Sequence, residues 1–110
     1  MTVVKRWYEV ASIRDIDDEE SLPVEVNGVK IALFNLGGKF YATSDSCSVD
    51  DVSLSEGYVE DGVVYCGSDD DVCFEIRSGQ PCNETVADPV RRYPVKTEGG
   101  VVYIGVTIEF

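Results

Sequence analysis

Ala42-Thr43-Ser44-Asp45-Ser46-Cys47, then Ser53-Leu54-Ser55-Glu56-Gly57-Tyr58-Val59-Glu60-Asp61-Gly62-Val63-Val64-Tyr65-Cys66, then Phe74-Glu75-Ile76-Arg77-Ser78-Gly79 are the stretches that decide the fold. Short β-prone runs alternate with Gly-centred turns, and two cysteines each open a polar, aspartate-rich connection. Tyr58-Val59 and Val63-Val64-Tyr65 flank Asp61-Gly62, the residue pair that a two-residue hairpin turn favours. Cys73-Phe74-Glu75-Ile76 alternates before Ser78-Gly79, as a half-buried strand does.

The same punctuation recurs on both sides of this region. Val24-Glu25-Val26 turns at Asn27-Gly28 into Val29-Lys30-Ile31-Ala32-Leu33-Phe34, which passes through Gly37-Gly38 into Lys39-Phe40-Tyr41-Ala42. Val90 to Lys96 and Val101 to Val106 are expected to close the domain as a pair across Gly99-Gly100. Only Ile13 to Glu20 offers a helical turn, limited by Pro23. Many short strands with Gly-rich turns predict an all-β antiparallel sandwich or barrel. The expected core includes Trp7, Val10, Ile31, Leu33, Phe40, Leu54, Phe74, Ile76, Val95 and Ile104.

At 110 residues, the chain has room for one domain over 1–110 and no second core. It carries 21 acidic and 9 basic residues, for a net charge of −12. That balance excludes nucleic acid, whose backbone is bound by neutralising phosphates. It favours a basic-surfaced partner, although solubility or tolerance of high salt explains the same charge. No apolar run approaches the roughly 18 residues of a membrane span, and the first residues lack a signal-peptide pattern. No membrane association and a cytoplasmic location are expected.

Histidine is absent. No Ser-His-Asp or Cys-His pair can therefore be built, and the abundant carboxylates sit mostly in turns, so enzymatic activity is not expected. The four cysteines, Cys47, Cys66, Cys73 and Cys82, contain no Cys-x-x-Cys pair, which gives no support to a zinc ribbon. Asn83-Glu84-Thr85 matches a glycosylation sequon that has no signal peptide to give it meaning.

Taken together, the quoted stretches resemble Rieske-type [2Fe-2S] ferredoxins, in particular the ferredoxin component of bacterial ring-hydroxylating dioxygenase systems. The likeness extends to Trp7-Tyr8-Glu9-Val10-Ala11, to Gly38-Lys39-Phe40-Tyr41-Ala42-Thr43 and to the closing Tyr93-Pro94-Val95-Lys96 with Val101-Val102-Tyr103-Ile104. It implies a small cluster-binding subdomain over about 43–86 and a [2Fe-2S] cluster held by Cys-x-His and Cys-x-x-His loops. It also implies a small electron-transfer protein that docks on a reductase or oxygenase component.

Cys47 and Cys66 stand at the family's cysteine positions, while Val49 and Asp69 replace its histidines. Valine has no lone pair, so the ordinary two-cysteine, two-histidine site cannot form. The aspartates Asp50, Asp51, Asp69, Asp70 and Asp71 would lower the potential of any anionic centre there.

Three readings follow. One is an altered iron or iron–sulfur site led by Cys47 and Cys66, with Asp69, Cys73 or Cys82 completing it. In a two-residue hairpin at Ser78-Gly79, Glu75 would lie opposite Cys82, with Cys73 as its diagonal neighbour; the plainer reading of Cys73 and Cys82 is packed or exposed thiols, or a cross-strand pair. A second is a hard cation on the loop carboxylates, in an order unlike an EF-hand. A third is a clusterless or engineered Rieske-fold binding or scaffold domain, like the small subunit of assimilatory nitrite reductase, with no cofactor.

Overall fold

The computed structural model of the chain describes residues 3–46, 53–66, 72–82 and 89–109. Among these residues ten strands follow in order: β1 (Val3–Ser12), β2 (Ser21–Val26), β3 (Val29–Leu36), β4 (Lys39–Ser44), β5 (Tyr58–Glu60), β6 (Val63–Tyr65), β7 (Cys73–Glu75), β8 (Arg92–Tyr93), β9 (Val95–Glu98) and β10 (Val101–Glu109). Among the described residues there is no α-helix, only the short 3₁₀ turns Ile13–Asp15 and Leu54–Glu56. The first of these replaces the helical turn expected over Ile13 to Glu20. Ser12 caps it, and Asp15 returns a bond to the Ser12 N–H at 2.9 Å. The all-β expectation holds.

Three antiparallel sheets result, in the orders β1-β10-β9, β2-β3-β4-β8 and β5-β6-β7. Four of the five expected turns are two-residue hairpins: Asn27-Gly28, Gly37-Gly38, Asp61-Gly62 and Gly99-Gly100. Both residues of each turn have positive φ, the conformation whose twist matches the strands it joins. β3 is the centre of the molecule. Every residue from Ile31 to Leu36 is buried, because the strand is covered on both faces.

Ile31 and Leu33 face one core with Ala42, Val102 and Ile104. Ala32, Phe34 and Leu36 face the other with Leu54, Val64, Cys66, Val72, Phe74, Ile76 and Val90. The period of two thus divides one strand between two apolar layers. The polar residue in this run, Asn35, is satisfied by donating to the Ile16 carbonyl at 2.8 Å and accepting from Gly38 N–H at 2.9 Å.

Two expectations are corrected. Trp7 is not core: it is 38% exposed on the outer face of β1, opposite Gly105, while Tyr8 points inward to the core. Gly105 leaves the space this ring occupies, since a Cβ there would lie 3.2 Å from the Trp7 ring. Lys96 covers the ring at 4.8 Å from its centroid. Second, Val90 to Lys96 is not one strand. Pro94 separates β8, which pairs with β4, from β9, which pairs with β10. Proline has no N–H to carry a ladder through, and its carbonyl instead accepts from Gly105 N–H at 2.8 Å.

Candidate functional site

The sequence places its first two cysteines at the edges of two segments, 47–52 and 67–71, that lie outside the described residues, and the described residues on either side of each segment are paired. The first segment, 47–52, departs and returns at the bridge between Ser46 and Ser53. Asp45, one residue earlier, donates its N–H to the Lys30 carbonyl at 3.1 Å, and its own carbonyl accepts from Leu54 N–H at 2.7 Å. Its side chain is buried, and both oxygens are occupied: Oδ1 accepts from Ser55 N–H at 2.8 Å and Oδ2 from the Ser55 hydroxyl at 3.1 Å. Every other acidic side chain whose burial is described is more exposed than this one.

The second segment, 67–71, departs from Cys66 and returns at Val72. These residues stand opposite each other where the β6–β7 ladder runs on past Tyr65 and Cys73, and Cys66 N–H donates to the Val72 carbonyl at 2.8 Å. Cys66 itself is 1% exposed, turned into the core beside Leu54, Val64 and Phe74. Gly57 makes this approach possible. A Cβ there would collide with the Tyr65 carbonyl oxygen, so only glycine lets the 3₁₀ turn pass the end of β6, next to Cys66. Tyr58 and Tyr65 stack across this junction, with centroids 4.7 Å apart and planes 14° from parallel.

Cys47, Val49 and Asp69 lie outside the described residues, as do Asp50, Asp51, Asp70, Asp71 and the Asn83-Glu84-Thr85 sequon. Cys73 and Cys82 are joined in a disulfide with a Cα–Cα distance of 5.6 Å. While that bond stands, neither sulfur is a thiolate open to a metal. The expected register is also corrected here. Ser78-Gly79 is not a two-residue turn, because Glu75 N–H donates to the Gln80 carbonyl at 2.8 Å around a four-residue loop with Gly79 at positive φ. Cys73 therefore faces Cys82 directly, where the shorter turn would have made them diagonal neighbours.

Among the described residues no group of three or more cysteine or acidic side chains is disposed to hold a metal. A surface depression lined by Asp18, Asp61, Glu75 and Arg77 among others lies at the Gly62 end of the hairpin, and Cys66 does not line it. Sequence reading missed Asp45. Its partner is ten residues downstream across a connection, so no local spacing announced the contact. The donor chemistry also rules on the usual cofactor. A Rieske cluster needs two imidazoles, and the chain contains no histidine, so its residues do not fit that group.

Comparison with known proteins identifies the framework. The Rieske [2Fe-2S] domain family profile matches residues 6–94. The 3-phenylpropionate/cinnamic acid dioxygenase ferredoxin subunit of Escherichia coli K12 is 38% identical over 92 residues, covering 84% of this chain and 86% of that protein. A chain in the complex of reduced oxygenase and oxidized ferredoxin of carbazole 1,9a-dioxygenase superposes with a TM-score of 0.82 at 28% identity, covering 89% of this chain and 91% of that one. A Mycobacterium tuberculosis structure described as a nitrite reductase small subunit shares the fold alone, with a TM-score of 0.81 at 19% identity over 94% of this chain and 96% of that one. The family profile spans four-fifths of the sequence and the ferredoxin subunit is 38% identical along most of both chains, and on these grounds the chain belongs to the Rieske [2Fe-2S] domain family.

Proposed function

We propose that the protein is a ferredoxin-like electron-transfer component whose redox centre is held by sulfur and oxygen donors in place of imidazole. Cys47 and Cys66 lead the ligand set, and Asp69 completes it in preference to Cys73 and Cys82, whose sulfurs are bonded to each other. Thiolate and carboxylate both bind iron, which makes this donor set chemically coherent. The site-bearing subdomain is the segment over about 43–86.

The observation that carries the reading is Cys66. It is buried in the core at the last rung of the β6–β7 ladder, at the family's cysteine position, in a chain 38% identical to a ferredoxin subunit. The relatives' names supply an oxygenase component as partner class, and the family resemblance adds a reductase component. Exposed Glu9, Glu19, Glu20, Glu56, Glu60 and Asp61 suit a basic docking surface, since opposite fields speed encounter.

Protein purified without oxygen, with its absorption spectrum, iron and acid-labile sulfide measured, tests this. Bound iron that is lost in Cys66→Ala is expected. A colourless, iron-free protein after reconstitution with iron and sulfide would leave the clusterless binding module as the function of this fold.

A further inference from the structure

The two cysteines of the Cys73–Cys82 disulfide are unequally exposed. Cys73 is 4% exposed, wedged at the start of β7 between buried Val72 and Phe74, whereas Cys82 is exposed one residue past the Phe74–Pro81 bridge. The hairpin they cross has its own backbone bonds. Cys82 N–H donates to the Cys73 carbonyl at 3.0 Å, Glu75 N–H to Gln80 at 2.8 Å, Gly79 N–H to Glu75 at 2.7 Å and Val90 N–H to Gly79 at 2.9 Å. The sulfur bridge is thus an addition to a structure already held, and one of its two residues is exposed.

We propose that Cys73–Cys82 is a thiol–disulfide exchange site that accepts two electrons from a protein dithiol, with Cys82 as the sulfur attacked. A thiolate reaches a disulfide sulfur from the side opposite the departing one, so the buried partner is the leaving group and the exposed one the target. The incoming thiolate bonds to Cys82 Sγ, the Cys73–Cys82 bond breaks, and Cys73 leaves as a thiolate that takes up a proton. The second thiolate of the partner then attacks the partner's own sulfur in the mixed disulfide. Cys82 leaves as a thiolate and is protonated, and the partner departs as a disulfide. Two electrons and two protons pass to this chain, and the partner dithiol is oxidised. The inference does not rest on the proposed iron site and stands whether or not iron is bound by the loop cysteines.

The test uses the full oxidised chain with two probes: reduced glutathione, and a Cys-x-x-Cys oxidoreductase whose second cysteine is serine, so that the mixed disulfide is trapped. Peptide mapping by mass spectrometry locates the adduct, while far-ultraviolet circular dichroism follows the fold. Adducts on Cys82 at least tenfold over Cys73, with a native spectrum throughout, are expected. Alkylation of Cys82 in Cys73→Ser should likewise run at least tenfold faster than that of Cys73 in Cys82→Ser. Adducts divided evenly or favouring Cys73 would overturn the proposal, as would a bond that opens only when the chain unfolds. So would a purified chain in which the two thiols fail to pair with oxidised glutathione present.

Discussion

The Asp45 carboxylate accepts two hydrogen bonds from Ser55, from its N–H at 2.8 Å and from its hydroxyl at 3.1 Å, across ten residues of chain. This contact ties the end of the β4 extension to the 3₁₀ turn at Leu54–Glu56, so the 47–52 segment that carries Cys47 starts and ends on a fixed base.

Asp45→Ala removes both acceptors from a buried position and leaves Ser55 N–H without its partner. A loss of about 2–3 kcal/mol is expected, the range for buried hydrogen bonds to a charged group. Asp45→Asn keeps a carbonyl acceptor and should cost about half as much. Urea unfolding of the two variants checks the order, and equal losses would mean that side-chain volume, not hydrogen bonding, sets the cost.

Gly57→Ala forces a methyl group against the Tyr65 carbonyl oxygen. Backbone cannot swing aside as a side chain does, so about 2 kcal/mol or more of stability should be lost. The Tyr58–Tyr65 stack should loosen with it, which near-ultraviolet circular dichroism would report. A variant with unchanged melting and an unchanged aromatic signal would show that the 3₁₀ turn relocates freely.

Much of this architecture was legible because turn chemistry is local. Asn27-Gly28, Gly37-Gly38, Asp61-Gly62 and Gly99-Gly100 each tolerate positive φ at two successive positions, and each became the two-residue turn such pairs favour. Ser78-Gly79 misled, because a glycine at positive φ serves a four-residue loop equally well, and only the Glu75–Gln80 bond separates the two registers. That difference moved Cys82 from a diagonal position to a direct one opposite Cys73. Trp7 misled for another reason: strand alternation gives two faces, and hydrophobicity alone did not say that Tyr8, not Trp7, takes the inner one. At the candidate site, the family resemblance singled out Cys66, whereas the role of Asp45 depended on a contact with Ser55 across a connection.

Replacing both Cys73 and Cys82 by serine removes a cross-link that closes a loop of sequence separation nine. Loop-closure entropy for a ring of that size corresponds to about 2–3 kcal/mol. The variant should therefore melt below the oxidised chain and match the chain treated with dithiothreitol. The amide of Cys66, bonded to the Val72 carbonyl one residue from Cys73, should exchange with solvent faster in the variant. An exchange rate unchanged at Cys66 would mean that the disulfide stabilises the hairpin without reaching the foot of the 67–71 segment.

Restoring imidazoles tests the reading of the loops most directly. Val49→His with Asp69→His rebuilds the Cys-x-His and Cys-x-x-His spacings with Cys47 and Cys66 already in place. Two neutral imidazoles in place of an anionic carboxylate and an inert valine reduce the negative charge at the centre. Assembly with iron and sulfide should then give a Rieske-type electron paramagnetic resonance spectrum and a higher potential than the unmodified chain. The unmodified chain should show neither that spectrum nor the pH-dependent potential that arises when ligand histidines lose protons. The single variants separate the two loops: Asp69→His alone still lacks a donor at position 49, and Val49→His alone keeps a carboxylate beside Asp70 and Asp71. Neither single change should give the Rieske signal. A Rieske spectrum from the unmodified chain, or from either single variant, would show that the assignment of positions 49 and 69 to the missing ligands is wrong.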